Sequence, residues 1–292
     1  RLPGTTVDKL PLPPKAGGEW AATRPTTAWV GGSTLAGYAA VGQDLQGLLS
    51  PMRARKSWFC LDEYVVALGA GITGSSGYPV ETVIENRNLH SSGTNALTVD
   101  DLSRVPALGD SATVSNARWA HLDGVGGYIF PSGSTLQLRR EERTGSWHDI
   151  NTGGPTTPIT RRYLAMWQDH GVNPSGAAYS YLVVPGASAA RTKQLSKESG
   201  LLVLRNTASV QAVTSLPLGM TLMNFWQPGR VGDFQADTPC SVLARLRGST
   251  VELAVSDPTQ LATTIHLTVS GTKVTVDVTG AAGATRYLTL SV

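Results

Sequence analysis

Cysteine is almost absent from this chain: Cys60 and Cys240, far apart, are the only two in 292 residues. Two such residues cannot make a disulfide framework, and Cys60, set inside an apolar run, reads as a small buried hydrophobe. Charge is sparse as well, at 15% with a net of +3. There is no long basic run of the kind that nucleic-acid binding requires, so no nucleic-acid partner is expected. No stretch reaches the 18 or more apolar residues of a membrane-spanning helix, and no membrane partner is expected either. A helical period is nowhere sustained for three turns. The five histidines (His90, His121, His148, His170 and His266) miss zinc spacings such as H-E-x-x-H, so neither metal nor cofactor is expected. G-x-S-x-G occurs only broken, as Gly74-Ser75-Ser76-Gly77, and no nucleophile elbow can be placed. Glu81 and Glu85 are four apart, which on a strand means one face at about 13 Å, too far for a glycosidase carboxylate pair.

What is abundant points to strands. The chain has 32 glycines, 17 prolines and many short Val, Thr and Leu runs. That combination predicts an all-β protein, a large antiparallel β-sandwich followed by a smaller one, with domains over 1–190 and 191–292. Residues 1–28 hold five of the prolines and read as an extended segment with Trp20 as its apolar anchor. The chain opens on Arg1 rather than Met, so an upstream portion is expected to have been removed or to be carried elsewhere.

The stretch 55–87 organises the rest. Trp58 to Leu61 and Tyr64 to Leu68 are apolar runs separated by Asp62 and Glu63, which predicts a buried hairpin. Gly69, Gly71 and Gly74 then spell G-x-G-x-x-G. A dinucleotide fingerprint needs a helix to open at the third glycine, but Ser75, Ser76, Gly77, Tyr78 and Pro79 follow. The glycines are therefore taken as a bend between strands. Arg53, Arg55 and Lys56 read as a solvated strand edge, with a substrate contact as the alternative. Further strands are expected near 27–31, 37–43, 96–99, 118–121, 127–130, 163–167 and 178–184. Leu45 to Leu49 reads as a short helical turn, Arg140 to Arg143 as a solvated charge run, and 187–200 as an inter-domain connection. In the C-terminal part, Ile265, Leu267 and Val269 face Val274, Val276 and Val278 across Ser270-Gly271-Thr272, and the last strand is 287–292. The strand 241–247 alternates Val242, Ala244 and Leu246 with a mixed face and reads as half buried. Trp147 beside His148 and Asp149 suits a sugar site, since a ring face stacks on pyranose C–H groups; a plugged sheet edge is the alternative.

Several segments carry a family resemblance. They are KSWFCLDEYVVALGAGIT with PVETVIENR, Arg1 to Thr6, Trp29-Val30-Gly31-Gly32, His121 to Tyr128, Gly145 to Asn151, Trp167 to Gly171, and Tyr179 to Gly186. Together and in this order they resemble the β-domains of the family 8 polysaccharide lyases, over essentially the whole chain. The resemblance implies a central super-sandwich, a C-terminal β-domain and secretion from the cell. It also implies an enzyme that cleaves uronic-acid polysaccharide, hyaluronan or chondroitin, by β-elimination. In the family an Asn neutralises the C5 carboxylate while a His and a Tyr move the protons and an Arg assists. Those groups belong to an N-terminal α/α-toroid, which becomes the expected partner, so no catalytic residue is assigned to this chain. The acidic polysaccharide is the other expected partner, and the β-domain forms one wall of its cleft. Candidate substrate-binding residues are Thr27, Trp29, Ser33 and Thr34 near the Trp-Val-Gly-Gly match, Asn86 and Arg87 at the end of the organising stretch, and Trp147 and His148. A non-catalytic carbohydrate-binding or scaffold module is the alternative.

Overall fold

A computed structural model describes residues 1–13, 16–19 and 22–291. Trp20 and Val292 lie outside the described residues. In chain order the strands are β1 (Thr6–Asp8), β2 (Val30–Leu35), β3 (Tyr38–Gln46), β4 (Arg53–Cys60), β5 (Val65–Thr73), β6 (Pro79–Asn88), β7 (Leu97–Val99) and β8 (Leu102–Arg104). Next come β9 (Ser111–Leu122), β10 (Gly126–Gly145), β11 (Ile159–Val172), β12 (Ser175–Pro185) and the helix α1 (Ala189–Glu198). The C-terminal part holds β13 (Leu201–Asn206), β14 (Val210–Ser215), β15 (Met220–Phe225), β16 (Gly229–Val231), β17 (Phe234–Ala236), β18 (Cys240–Arg247), β19 (Thr250–Ser256), β20 (Thr264–Val269), β21 (Thr272–Asp277) and β22 (Arg286–Ser291). The protein is thus all-β, as its composition predicts.

Two compact units divide these elements. The first comprises Arg1–Val7, Pro79–Gly171 and Val184–Lys197. Its sheet runs β1-β6-β11-β10, and β10 also pairs with β9, β9 with β7, and β7 with β8. Strand β10 is antiparallel to β11 in a register that sets Leu138 opposite Met166 and Arg140 opposite Leu164. Leu136, Leu138, Leu164 and Met166 are fully buried. Because side chains alternate, Arg140 follows Leu136 and Leu138 onto the core face. It is 3% exposed, and its guanidinium donates to the carbonyls of Val105 at 2.8 Å, Gly93 at 2.5 Å and Asn95 at 2.6 Å. The expectation of a solvated run at 140–143 is therefore wrong at its first residue. Three carbonyls of an irregular segment replace the water that the guanidinium gives up. The connection at 187–200 is also more ordered than expected. It contains α1, whose Thr192 and Leu195 are buried. A Cβ at Gly127 would lie 2.1 Å from the Thr192 hydroxyl, so glycine permits that approach.

The second unit comprises Asp8–Tyr78, Val172–Val183 and the chain from Glu198 onward. One of its sheets runs β12-β5-β4-β3-β2. The predicted hairpin is present: β4 and β5 pair from Cys60 opposite Val65 outward, with Asp62 and Glu63 in the turn. The glycine bend is displaced, however. Gly69 and Gly71 lie inside β5, because Gly69 sits under the Tyr179 ring, where a Cβ would come within 2.0 Å, and Gly71 takes a φ of +59°. Nor does a helical turn form at 45–49. Strand β3 continues to Gln46, and the Gly47 N–H bonds to the Met52 carbonyl at 2.9 Å.

The rest of this unit is a sandwich of a six-stranded sheet (β13-β14-β15-β18-β19-β22) and a four-stranded one (β16-β17-β20-β21). Val210, Met223, Phe225, Val242, Leu253, Ile265, Leu267 and Val276 share its core. Ile265 opposes Val276 and Leu267 opposes Val274 as predicted, across a turn in which Ser270 and Gly271 both have positive φ. Strand β18 is more buried than its mixed face suggested. Its second face meets a polar seam, where Ser241 bonds Ser33 at 3.0 Å. Asn224 continues that seam, donating to Ser57 at 2.8 Å and to the Val41 carbonyl at 3.0 Å, and Ser57 donates to Gln211 at 2.6 Å. Most polar groups on that face satisfy one another, which permits their burial, although the Asn224 Oδ1 finds no partner among the described residues.

Lys56 overturns another surface expectation. Strand β4 is interior, between β3 and β5, and Lys56 is 2% exposed. Its ammonium sits 5.1 Å from the Trp58 ring centroid, and burial pulls its pKa down from 10.5 to about 8. Between those two values the unfolded chain holds a proton on Lys56 that the folded chain does not, so the Lys56 contribution to stability rises with pH across that window, while the raised pKa values of Cys60, Cys240 and Tyr128 act in the opposite direction. In urea melts from pH 7 to pH 10.5, the stability of the wild type relative to Lys56→Met is expected to grow as pH rises through this window. A difference that stays flat with pH would mean that Lys56 keeps its ordinary proton in the fold.

Candidate functional site

The outer side of the β10–β11 pair in the first unit gathers the chemistry. Their register opposes Glu141 to Tyr163, Arg143 to Arg161 and Gly145 to Ile159, so these six positions share one face. Arg143 donates to Glu141 at 2.5 and 2.8 Å and to the Asn86 side-chain oxygen at 3.0 Å, and its guanidinium lies 4.3 Å from the centre of the Tyr163 ring. Asn86 in turn donates to the Arg1 carbonyl at 2.6 Å. The Arg1 guanidinium grips both oxygens of Glu81 at 2.9 and 3.0 Å and rests 3.9 Å from the Trp167 ring centroid. Burial opposes ionisation of Glu141, yet the hydrogen bond and charge of Arg143, helped by Arg139, hold its pKa below the ordinary value.

Glu81 and Glu85 are both buried, and neither is poised as a free acid. Tyr128 donates to Glu85 at 2.5 Å, and Arg87 donates to the same oxygen at 2.9 Å. Burial pushes the Tyr128 phenol up from its ordinary pKa, and the Glu85 charge pushes it further, so the hydroxyl remains a donor. Tyr128→Phe removes that donor from a buried carboxylate. It is expected to lower unfolding stability by about 2 kcal/mol in urea melts; no change would mean that Arg87 and the Asn86 N–H together satisfy Glu85.

Beside this cluster lies an open groove of about 640 Å³. Its walls include Asn88, Arg143, Trp147, Ile150, Arg161 and Tyr163. Trp147 begins a 3-10 turn, Trp147–Asp149, and is 58% exposed, while Ile150 is 77% exposed. Trp147 therefore plugs no sheet edge. The turn is tied at several points. The Ser146 N–H donates to Asp149 at 2.6 Å, the Asn151 N–H to the Trp147 carbonyl at 3.0 Å, and the His148 N–H to the Pro155 carbonyl at 3.2 Å.

Of the residues singled out from sequence, Asn86, Arg87, Trp147 and His148 fall in the first unit. Asn86 joins the Arg1 and Arg143 network, and Arg87 is exposed while bonded to Glu85. Trp147 lines the groove, whereas exposed His148 does not. The other four belong to the second unit. Thr27 is half-buried ahead of β2. Trp29 is 4% exposed and packs on Trp226 with ring centroids 4.4 Å apart. Ser33 has no exposed surface and bonds Ser241, so it and Trp29 hold sheets together. Thr34 is exposed, its N–H donating to Thr285 at 3.2 Å. Arg143, Arg161 and Tyr163 escaped the sequence reading. Strand parity carried outward from Leu138 and Met166 would have found them. Among the described residues no group of three or more His, Cys, Asp or Glu side chains is placed to hold a metal ion.

Comparison with known proteins agrees along the chain. Residues 1–196 match the family model for the polysaccharide lyase family 8 super-sandwich domain, and residues 202–266 match that for the C-terminal β-sandwich domain of the same family. A hyaluronate lyase of Thermasporomyces composti is 47% identical over 269 residues, 92% of this chain and 34% of the relative. A xanthan lyase of Bacillus sp. (strain GL1) is 40% identical over 76% of this chain and 25% of its own length. Among solved structures, Paenibacillus xanthan lyase superimposes with a TM-score of 0.94 at 32% identity, covering 100% of this chain and 31% of that one. Streptomyces coelicolor A3 chondroitin AC lyase in complex with chondroitin sulphate gives 0.86 at 42% identity, covering 100% and 40%. The chain spans between 18% and 34% of the length of the curated relatives it matches. With both family models meeting on one all-β chain, this protein belongs to polysaccharide lyase family 8, of which it carries super-sandwich and C-terminal β-sandwich sequence.

Proposed function

We propose that this chain is the β-sheet portion of a secreted polysaccharide lyase that cleaves a uronic-acid polysaccharide, hyaluronan or chondroitin, by β-elimination. The observation that carries the reading is the family match over residues 1–196, continued over 202–266. The first match ends at residue 196 and the second begins at 202, which supports two sequence domains that meet near, but after, the expected division into 1–190 and 191–292. In this reaction the proton at C5 leaves, the bond from C4 to the glycosidic oxygen breaks, and the leaving oxygen takes up a proton. A negative charge builds on the uronate as the C5 proton departs, and it must be neutralised. The groups that do this belong to an N-terminal helical domain, the partner of this chain, which forms one wall of the substrate cleft. Secretion follows from the size of the substrate, which the enzyme must meet outside the cell.

A second reading, a carbohydrate-binding module without a catalytic share, is favoured by the groove at Trp147, which presents binding chemistry and no acid–base pair. Reconstitution separates the two. Mixing this chain with the helical domain of the same enzyme and following absorbance of the unsaturated uronate is expected to give faster release than the helical domain alone. No gain would overturn the catalytic contribution and leave the binding module.

A further inference from the structure

Two features of the groove at the β10–β11 pair are unfavourable for a free surface, and a third prepares it for a ligand. The first is the opposition of Arg143 to Arg161 across the two strands. Like charges directly opposite destabilise a sheet. Arg143 is compensated by Glu141. Arg161 is exposed, donates to the carbonyl of Thr160 at 2.8 Å, and pairs with no carboxylate among the described residues. The second is apolar exposure: Trp147 and Ile150 stand in water beside those guanidiniums. The third is rigidity around the exposed ring. Gly154 packs against the Trp147 backbone so closely that a Cβ would lie 2.9 Å from its carbonyl carbon and oxygen. The Gly154 N–H also donates to the Asn151 carbonyl at 2.7 Å.

We infer that this groove binds an acidic polysaccharide chain, with Trp147 stacking on a sugar ring and Arg161 pairing with a uronate carboxylate or a sulfate. The chemistry of each part selects that ligand. An indole face fits the C–H surface of a pyranose, and a guanidinium fork matches a planar carboxylate or a sulfate through two parallel hydrogen bonds. Among the described residues no carboxylate lines the groove, and although Glu141 compensates Arg143, the Arg161 guanidinium beside Asn88 leaves a positive charge that complements a polyanion. Its volume falls in the range of small-molecule sites in general, roughly 300–1,000 Å³. A turn fixed before binding spares the ligand the entropy of ordering it. The inference rests on the reading above that the substrate is a uronic-acid polysaccharide, and it adds the residues that recognise the acid group.

The test is calorimetric titration of the 292-residue chain with hyaluronan and chondroitin sulfate oligosaccharides, and with a neutral glucan oligosaccharide. The acidic oligosaccharides are expected to bind, more weakly as salt is raised, and the neutral one is not. Trp147→Ala and Arg161→Ala are each expected to weaken binding at least about tenfold, a loss near 1.4 kcal/mol. Arg161→Lys keeps the charge without the fork, so an intermediate loss is expected, and it serves as a second variant should Arg161→Ala fold poorly. Arg230→Ala, remote from the groove in sequence and sheet, is expected to bind as wild type. Wild-type affinity in both Trp147→Ala and Arg161→Ala, each with an unchanged urea midpoint, overturns the inference. So does a wild-type chain that binds no acidic oligosaccharide. Failure of the lyase reading is separate, because it appears as no unsaturated product from any acidic polymer in the reconstituted enzyme.

Discussion

The antiparallel register of β10 against β11 constrains everything else in the first unit. With Leu138 opposite Met166, one face of the pair is committed to the core and Arg140 is carried in with it. The buried guanidinium then recruits the carbonyls of Gly93, Asn95 and Val105, which fixes the chain on both sides of the β7–β8 hairpin. The other face receives Glu141, Arg143, Tyr163 and Arg161 by the same alternation. A slip of one residue would exchange the two faces, exposing the core leucines and burying the ion pairs. Apolar burial therefore decides where the charged groups stand.

A second constraint is the satisfaction of buried polar groups. In the second unit, Ser33, Ser57, Gln211, Asn224 and Ser241 are all buried and bond one another across sheets. Such a seam contributes less through each bond than through the cost of leaving a partner unpaired. It also explains why Ser33, which lies near a family motif, is a structural residue here. In the first unit the same logic applies to charges: Glu81, Glu85 and Glu141 are each held by an arginine. Among the described residues Arg161 has no such carboxylate, and it borders the groove.

Much of the architecture was legible in the sequence because period-two alternation and turn residues report directly on strands. The β4–β5 hairpin, the Ser270-Gly271 turn and the failure of the glycine fingerprint all follow from local pattern. What stayed hidden depends on neighbours distant in the chain. Gly69 reads as a bend but is the space that the Tyr179 ring occupies. Lys56 and Arg140 read as surface because lysine and arginine usually are, and only the placement of their strands buries them. At the candidate site, Trp147 was visible as an aromatic beside polar residues. Its arginine neighbours were not, since Arg143 and Arg161 lie 18 residues apart and meet only through the register.

The central claim is that this register builds a cationic, aromatic groove that holds an acidic sugar chain. Amide chemical-shift mapping of the isotopically labelled chain with a hyaluronan or chondroitin sulfate oligosaccharide tests it most directly. The account predicts saturable shifts grouped at Asn88, Arg143 to Ile150 and Ile159 to Tyr163. Shifts grouped instead around Trp29 to Thr34, with the groove silent, would contradict it.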